Sequence, residues 1–323
     1  MPSSPALISL GEPMIEFNRP RHGDGRTWLQ GFGGDTSNAA IAAARQGASA
    51  GYLSSLGEDW MGQAFLDLWR AEGVDATHVR RHPTAPTGVY FVTHGESGHR
   101  FDFLRKGSAA SLMDVGDLAV DYIAGAQTLH LSAISQAISA AARRTCEAAI
   151  DAARHAGARV SYDTNLRLRL WDIDEARRTI EATVACCDIL LPSLDDSRQL
   201  TGLREADAIV DHYLARGPSL VALKMGREGA LIATRDQRCA IGSHPVEAID
   251  ATGAGDTFDG AFLARLLAGD DPFAAGRYAN VAAALKTRGY GAVAPIPRAA
   301  EVRAEMARAW DAAPAPSGSG RAP

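Results

Sequence analysis

The stretch DATGAGDTFDGAF, residues 250–262, places glycines and a carboxylate directly before an apolar segment. Glycine has no Cβ, so its backbone N–H group can approach a ligand closely. The following TFDGAFLARLLAG predicts a helix, whose first turn presents N–H groups and a positive dipole end to anions. The stretch therefore predicts an anion site with the carboxylate of Asp256 beside it.

Two interpretations of Asp256 are open at this point. A carboxylate there can accept the proton of an attacking hydroxyl while backbone amides hold a transferring phosphoryl group. Aspartate is also a common helix N-cap, although a cap does not account for the preceding Gly-Ala-Gly. The chain contains no Gly-Lys dipeptide and no G-x-G-x-x-G after its first strand, so the usual phosphate-loop and dinucleotide motifs are absent.

Strand and helix signals alternate along most of the chain, beginning with the predicted strand ALISL at residues 6–10. This alternation predicts an α/β fold with a parallel sheet covered by helices. Two β-rich stretches, about 12–32 and 85–108, lack helices of their own. We expect them to pair into a small sheet, a lid over the mouth of a single domain that spans residues 1–311. The Pro/Gly/Ser-rich tail 312–323 is expected to be disordered.

Composition excludes several classes of protein. The net charge of −5 over 323 residues gives no overall basic character, so we expect no nucleic-acid partner. The four cysteines form no C-x-x-C pair, which argues against a metal site or disulfide framework and fits a reducing, cytoplasmic setting. Neither a signal peptide nor an apolar run of roughly 18–20 residues is present, so we expect no membrane association. Of the 33 lysine and arginine residues, three are lysines: Lys106, Lys224 and Lys286.

Two motifs carry a family resemblance. Residues 250–260 resemble the C-terminal signature of the ribokinase-like (PfkB) carbohydrate kinases, and GGDTSN at residues 33–38 resembles their N-terminal sugar-binding signature. The segments GEPMIEF, LGEDWMG and LKMGREGA follow in the family's order, and the match covers roughly residues 6–310. The resemblance implies a Rossmann-like domain with a β lid, the use of ATP and Mg²⁺, and phosphorylation of a primary alcohol. It leaves a monovalent cation open as a further cofactor.

The resemblance also implies roles for individual residues. Asp256 becomes the base, and the amides of Gly253, Ala254 and Gly255 become the anion hole. Contacts with the nucleotide fall on Asn165, Ser193, Lys224, Gly226, Gly229, Thr252, Gly253, Gly255 and Asn280. Without the resemblance, Lys224 is also compatible with an ordinary lysine at the end of a strand. Asn280 is likewise compatible with an asparagine on the surface of a helix. Where members often carry Asn-x-x-Glu to organise Mg²⁺ through water, this chain has Ser193-Leu-Asp-Asp196, so Asp196 becomes the candidate.

Arginines suggest an acidic substrate, because a carboxylate is well matched by the planar guanidinium group. Arg105 ends a predicted lid strand, while Arg167 and Arg169 follow a core strand, although any one of them is also compatible with a surface role. Together with GFGGDTSN and TGVYF, these segments resemble the branch of the family that phosphorylates the terminal hydroxyl of 2-keto-3-deoxygluconate to give 2-keto-3-deoxy-6-phosphogluconate. The implied substrate contacts are Gly34, Asp35, Asn38, Tyr90, Phe103, Arg105, Arg167 and Asp256. Phe103 stands where a tyrosine often lies.

Two other functions remain open from the sequence. The motif D-x-N-x-R-x-x-L-W also occurs in fructokinases and in 5-dehydro-2-deoxygluconate kinases, so it does not identify the sugar. A catalytically silent sugar sensor with the same fold is the alternative from another class, but such a protein has no use for a base beside an anion hole. Open edges on the lid sheet favour pairing between subunits, so we expect a homo-oligomer.

Overall fold

The computed structural model describes residues 4–20, 24–95 and 98–311. The predicted tail 312–323 lies outside these residues. The described strands are β1 (Leu7–Leu10), β2 (Met14–Asn18), β3 (Leu29–Gly33), β4 (Ala50–Leu53), β5 (Ser55–Gly57), β6 (Val74–Asp75), β7 (Arg80–His82), β8 (Gly88–Gly95), β9 (Gly98–Leu104), β10 (Thr128–Ser132), β11 (Arg159–Asp163), β12 (Ile189–Leu190), β13 (Leu220–Lys224), β14 (Ala230–Thr234) and β15 (Arg238–Ile241).

The described helices flank and connect these strands. They are α1 (Asp35–Arg45), α2 (Trp60–Glu72), α3 (Val120–Ala124), α4 (Ala133–Ala137), α5 (Ala140–His155), α6 (Ile173–Val184), α7 (Leu194–Thr201), α8 (Ala206–Leu214), α9 (Ala254–Leu267), α10 (Pro272–Lys286) and α11 (Ala299–Asp311). Within the described ranges, no helix combines the length and the apolar character needed to cross a bilayer.

A nine-stranded sheet forms the centre, in the order β15-β14-β13-β12-β11-β10-β1-β4-β6. Seven of its strands are parallel, which confirms the predicted α/β class. Strands β13, β14 and β15 pair antiparallel at one edge. Only short segments join these three strands, whereas a parallel pair needs a long crossover.

The lid is a four-stranded sheet in the order β3-β2-β8-β9, as the two helix-free stretches predicted. The predicted turn between β8 and β9 includes residues 96–97, which lie outside the described residues. The segment SAGYLSSLG, residues 49–57, forms two short strands, β4 and β5. It divides at Ser54, whose hydroxyl donates to the carbonyl oxygen of Gly11 at 2.7 Å, and β5 leaves the central sheet to pair with β7.

Helices α1 and α9 lie in close contact on one face of the central sheet. A Cβ at Gly260 would lie 2.2 Å from the carbonyl oxygen of Ala39, so only glycine allows this approach. The buried side chains of Ala43, Ala261 and Phe262 belong to the same apolar cluster. This packing brings the N-terminus of α1, which follows β3 of the lid, to the N-terminus of α9.

Candidate active site

The anion turn, residues 250–256, leads directly into α9. Gly253 is the N-cap, with a φ of 77° that favours glycine, and no side chain caps the helix. The helix therefore begins at Ala254, and Asp256 is its third residue. The interpretation of Asp256 as the N-cap is wrong.

Two amides of the anion turn are available to an anion. The N–H group of Ala254 donates to the carbonyl oxygen of Ala251 at 3.1 Å. The N–H groups of Gly253 and Gly255 have no partner among the described residues. The predicted three-amide hole thus has two unoccupied donors in this conformation, both at the positive end of α9.

The carboxylate of Asp256 lies between the two helix N-termini. Its Oδ2 accepts a hydrogen bond from Nδ2 of Asn38, at 2.7 Å. Burial, together with the nearby carboxylate of Asp35, raises the pKa of Asp256 to about 7. A base with a pKa near neutrality is well matched to accept a proton from an alcohol.

Asn38 presents a second polar atom to the site. Its side chain is 3% exposed, and its Oδ1 has no hydrogen-bond partner among the described residues. A buried, unpaired acceptor is costly unless a ligand satisfies it. Asn38 thus suits a substrate hydroxyl on one side of its amide and orients Asp256 on the other.

Asp35, the first residue of α1, connects the ends of the parallel strands β10 and β11 through Ser132 and Asn165. Oδ2 of Asp35 accepts from Nδ2 of Asn165 at 3.0 Å and also from the hydroxyl of Ser132, at the end of β10. Burial raises the pKa of Asp35. Gly34 precedes it with a φ of 106°, and a Cβ there would lie 2.3 Å from the carbonyl oxygen of Glu12. The N-terminal signature is therefore held tightly against the strand β1–β2 connection.

Lys224 is not a free surface cation. Its ammonium donates to Asp163 and to both carboxylate oxygens of Asp259, each at 2.9 Å. Burial raises the pKa of Asp259 well above its usual value. Burial also acts to raise the pKa of Asp163, but Lys224 and the hydrogen bonds to this carboxylate together outweigh it, so the pKa of Asp163 is lowered. A Cβ added to Gly255 would lie 3.6 Å from the lysine nitrogen, which places Lys224 beside the anion turn.

On the lid side, two predicted substrate contacts have acidic partners. The guanidinium of Arg105 forms an ion pair with buried Glu12, and its Nε donates to Glu12 Oε2 at 2.7 Å. The hydroxyl of Tyr90 donates to buried Glu16. Both side chains also line the cleft, and their role as substrate contacts stays a prediction.

Arg167 is exposed and lines the cleft. Its Nη1 donates to the carbonyl oxygen of Leu166 at 2.8 Å, and no carboxylate forms an ion pair with it within the described chain. Phe103 lies between two guanidinium groups, with Arg105 at 5.6 Å and Arg169 at 5.8 Å from the ring centroid. Arg169 also donates to the carbonyl oxygen of Phe101 and so joins the lid to the main domain.

All nine predicted nucleotide residues line the same cleft. Gly226, Gly229, Thr252 and Asn280 are among them, although the amide of Asn280 donates to the carbonyl oxygen of Gly242 at 2.9 Å. Ser193 is the N-cap of α7 and accepts from the N–H of Asp196 at 3.1 Å.

Asp196 is held in place by the main chain. Its Oδ2 accepts from the N–H of Leu166, also at 3.1 Å. Burial raises the pKa of Asp196, and Arg167 partly opposes that effect. This carboxylate therefore connects the loop after β11 to α7, in addition to lining the cleft.

The sequence did not reveal the acidic partners of the basic and hydroxyl groups. They are Glu12, Glu16, Asp163 and Asp259. Asp163 ends the parallel strand β11, where ligand sites of such sheets lie, and this position was an available signal. Glu12 and Glu16 carry no comparable signal, because their partners come from distant parts of the chain.

The cleft has a volume of about 1640 Å³ and lies at the carboxyl ends of the parallel strands, below the lid. A Rossmann-like domain, a β lid, an anion turn and a carboxylate with raised pKa together define a ribokinase-like phosphotransferase. The chain matches the model of the "pfkB family carbohydrate kinase" over residues 5–299. It belongs to that family.

Relatives that are named for different substrates resemble the chain to a similar degree. A 2-dehydro-3-deoxygluconokinase of Thermoproteus tenax is 34% identical, with 92% of this chain and 93% of the relative covered. Fructokinase-1 of Oryza sativa subsp. japonica is 33% identical, with 93% and 97% covered. A Vibrio cholerae O395 fructokinase, a double mutant solved with fructose, ADP and potassium ion, is 28% identical with a TM-score of 0.84 and covers 95% of this chain and 100% of its own.

Proposed function

We propose that the protein is an ATP-dependent 2-keto-3-deoxygluconate kinase, whose product is 2-keto-3-deoxy-6-phosphogluconate. The observation that carries the sugar-acid assignment is the exposed guanidinium of Arg167 in the cleft, with Arg105 and Arg169 nearby. A charge-assisted, bidentate bond from arginine suits a substrate carboxylate. The similarity to 2-dehydro-3-deoxygluconokinases supports the same assignment.

Asp256 is the base of the proposed reaction. Its ionised carboxylate accepts the proton of the terminal hydroxyl, and that oxygen forms a bond to the γ-phosphorus of ATP. The bond between the γ-phosphorus and the bridging oxygen breaks, and ADP leaves with the electron pair. The N–H groups of Gly253 and Gly255 stabilise the charge on the transferring group. Asn38 holds Asp256 in position for this transfer.

The residues fit a nucleotide with Mg²⁺. Two unoccupied amides at a helix N-terminus suit a phosphate group. Among the described residues, no cluster of three His, Cys, Asp or Glu side chains is arranged to hold a metal. This fits Mg²⁺, which commonly keeps its waters and binds through phosphates and one or two carboxylates. Asp196 is the proposed carboxylate, and bound Mg²⁺ would neutralise phosphate charge during transfer.

Fructose is the second candidate substrate, and one observation favours it. Glu12 forms an ion pair with Arg105 inside the lid, so this arginine adds no net positive charge that would attract the carboxylate of a sugar acid. Fructokinases are also nearly as similar to the chain as the sugar-acid kinases are. Under this alternative Arg167 would hold a hydroxyl instead of a carboxylate.

A turnover assay separates these functions. Purified protein is incubated with ATP, Mg²⁺ and either 2-keto-3-deoxygluconate, its 4-epimeric galactonate analogue, fructose or ribose, and ADP release is measured. We expect the highest kcat/KM for the two sugar acids. A preference for fructose would replace the sugar-acid assignment by the alternative. If none of the four compounds is phosphorylated, both kinase assignments are contradicted, and a catalytically silent sugar sensor is favoured.

A further inference from the structure

Lys286 is a buried cation that the proposed chemistry does not use. It is the last residue of α10, and its side chain is fully buried. Its ammonium donates to the main-chain oxygen of Asp250 at 3.0 Å, the one hydrogen bond that it makes within the described chain. A buried ammonium is costly unless nearby groups compensate its charge. Here carboxylates of the anion turn and of the lid compensate the charge of the ammonium.

Three carboxylates act on this ammonium. Burial lowers the pKa of Lys286, and the charges of Asp250, Glu16 and Asp256 oppose that effect. The C-terminal end of α10, where Lys286 stands, also favours a cation. The charged form of the lysine is therefore supported from the turn, from the lid strand β2 and from its own helix.

Asp250 is the first residue of the anion turn and is fixed on several sides. Its Oδ1 accepts from the N–H of Thr252 at 2.9 Å. Its Oδ2 accepts from the N–H of Gly291 at 2.9 Å and from Nδ2 of Asn18 at 3.1 Å. Its own N–H donates to the carbonyl oxygen of Thr287, next to Lys286, at 3.0 Å. The end of α10 thus holds the start of the turn through both main chain and side chain.

A monovalent cation does not fit beside this lysine. Such an ion binds carbonyl and carboxylate oxygens, and here the ammonium already lies against the Asp250 carbonyl. A second positive charge a few ångströms away would be repelled in this buried surrounding. The potassium in the V. cholerae fructokinase structure belongs to that protein. For this chain, the residues around Asp250 argue against a required monovalent cation.

We propose that Lys286 is a positioning residue whose ammonium holds the anion turn in place and makes activity independent of added monovalent cations. The proposal rests on the phosphoryl transfer proposed above, for whichever sugar is the substrate. It predicts that removal of the ammonium displaces the amides of Gly253 and Gly255, which lowers kcat more than it raises KM.

The test compares wild type with Lys286→Ala in choline chloride, KCl and ethylammonium chloride. Wild-type kcat should agree within twofold in all three salts. In choline chloride the variant should lose about 10- to 100-fold in kcat, as expected for misplaced groups, and KCl or ethylammonium should restore at least severalfold. Leu285→Ala, which removes apolar packing from the same turn of α10, is the matched control and should show no such recovery.

Melting temperatures provide a readout that needs no turnover. KCl in place of choline chloride should raise the melting temperature of Lys286→Ala but not that of wild type. If Lys286→Ala does not fold, Lys286→Met, which fills more of the space, replaces it in the choline comparison. A wild type that needs KCl, or a variant with unchanged kcat or without recovery, overturns the proposal. If wild type phosphorylates no sugar, the proposed function fails, and the melting temperatures still decide the role of Lys286.

Discussion

At the phosphate side of the cleft, the groups that face an anion are main-chain amides of one turn, at Gly253 and Gly255. On the sugar side, they are side chains that reach across from the lid and from the loop after β11. The amides of the first arrangement belong to neighbouring residues of one turn. The second depends on pairs such as Arg105 with Glu12, which come from distant parts of the chain. A single side-chain substitution can therefore remove a ligand contact on the sugar side, whereas the main-chain amides on the phosphate side do not depend on the identity of a side chain.

The largest expected effect comes from Asp256→Asn, which removes the base and leaves the amides intact. We expect kcat to fall by at least about 10²-fold, with dissociation constants for ATP and substrate within a few-fold of wild type. Asp271→Asn is the matched control. Asp271 is a true N-cap, accepting from the N–H groups of Phe273 and Ala274, and asparagine caps about as well. A variant of Asp256 with more than a third of wild-type kcat would exclude this residue as the base.

Arg167→Ala tests the sugar side alone. Loss of a charge-assisted bond of roughly 1.5–3 kcal/mol should raise KM for the sugar acid about 10- to 150-fold, with KM for ATP little changed. Arg235→Ala, at an exposed arginine outside the cleft, should change neither constant. An unchanged KM for the sugar acid would show that Arg167 does not bind the carboxylate.

The pH profile follows from the raised pKa of Asp256, about 7. The base must be ionised, so kcat/KM should rise with pH through 7 and be about tenfold lower at pH 6 than at its plateau. Ionisation of this carboxylate opposes folding, because its pKa in the folded protein exceeds that of an unfolded aspartate. Its stability contribution is therefore lost between about pH 4 and 7 as pH rises. A flat kcat/KM between pH 6 and 8 would assign the proton transfer to another group.

Gly253→Ala has the smallest expected effect on rate and tests the backbone of the anion turn. A φ of 77° costs a non-glycine residue about 1–3 kcal/mol of folding free energy. The new Cβ would also lie 3.1 Å from the carbonyl oxygen of Ala292. Gly269→Ala, with a φ of 93° and no atom within 4 Å of the new Cβ, is the control for strain alone. Denaturant unfolding should show a loss in both variants, and kcat should fall severalfold only in Gly253→Ala.

Local patterns predicted the fold better than they predicted the site. Alternating strand and helix signals gave the α/β class and the lid, because both depend on periodicity within short segments. The sequence misplaced the start of α9 by a few residues, since Gly253 ends its turn and Ala254 and Gly255 tolerate the helix. The partners of Arg105, Tyr90 and Lys224 were out of reach, because no local pattern tells which of 38 acidic residues the fold will bring to them.

The close contact of α1 with α9 has a consequence for synthesis of the chain. Asn38 and Asp256, at the ends of these helices, are separated by 218 residues. At about 5–20 residues per second, α1 is translated roughly 10–40 s before the helix that covers its alanine face. A chain that ends at residue 250 leaves that face without its cover. Such a truncated chain should aggregate on release from the ribosome, and its recovery in the pellet after centrifugation, compared with the full chain, would show whether α9 provides this protection.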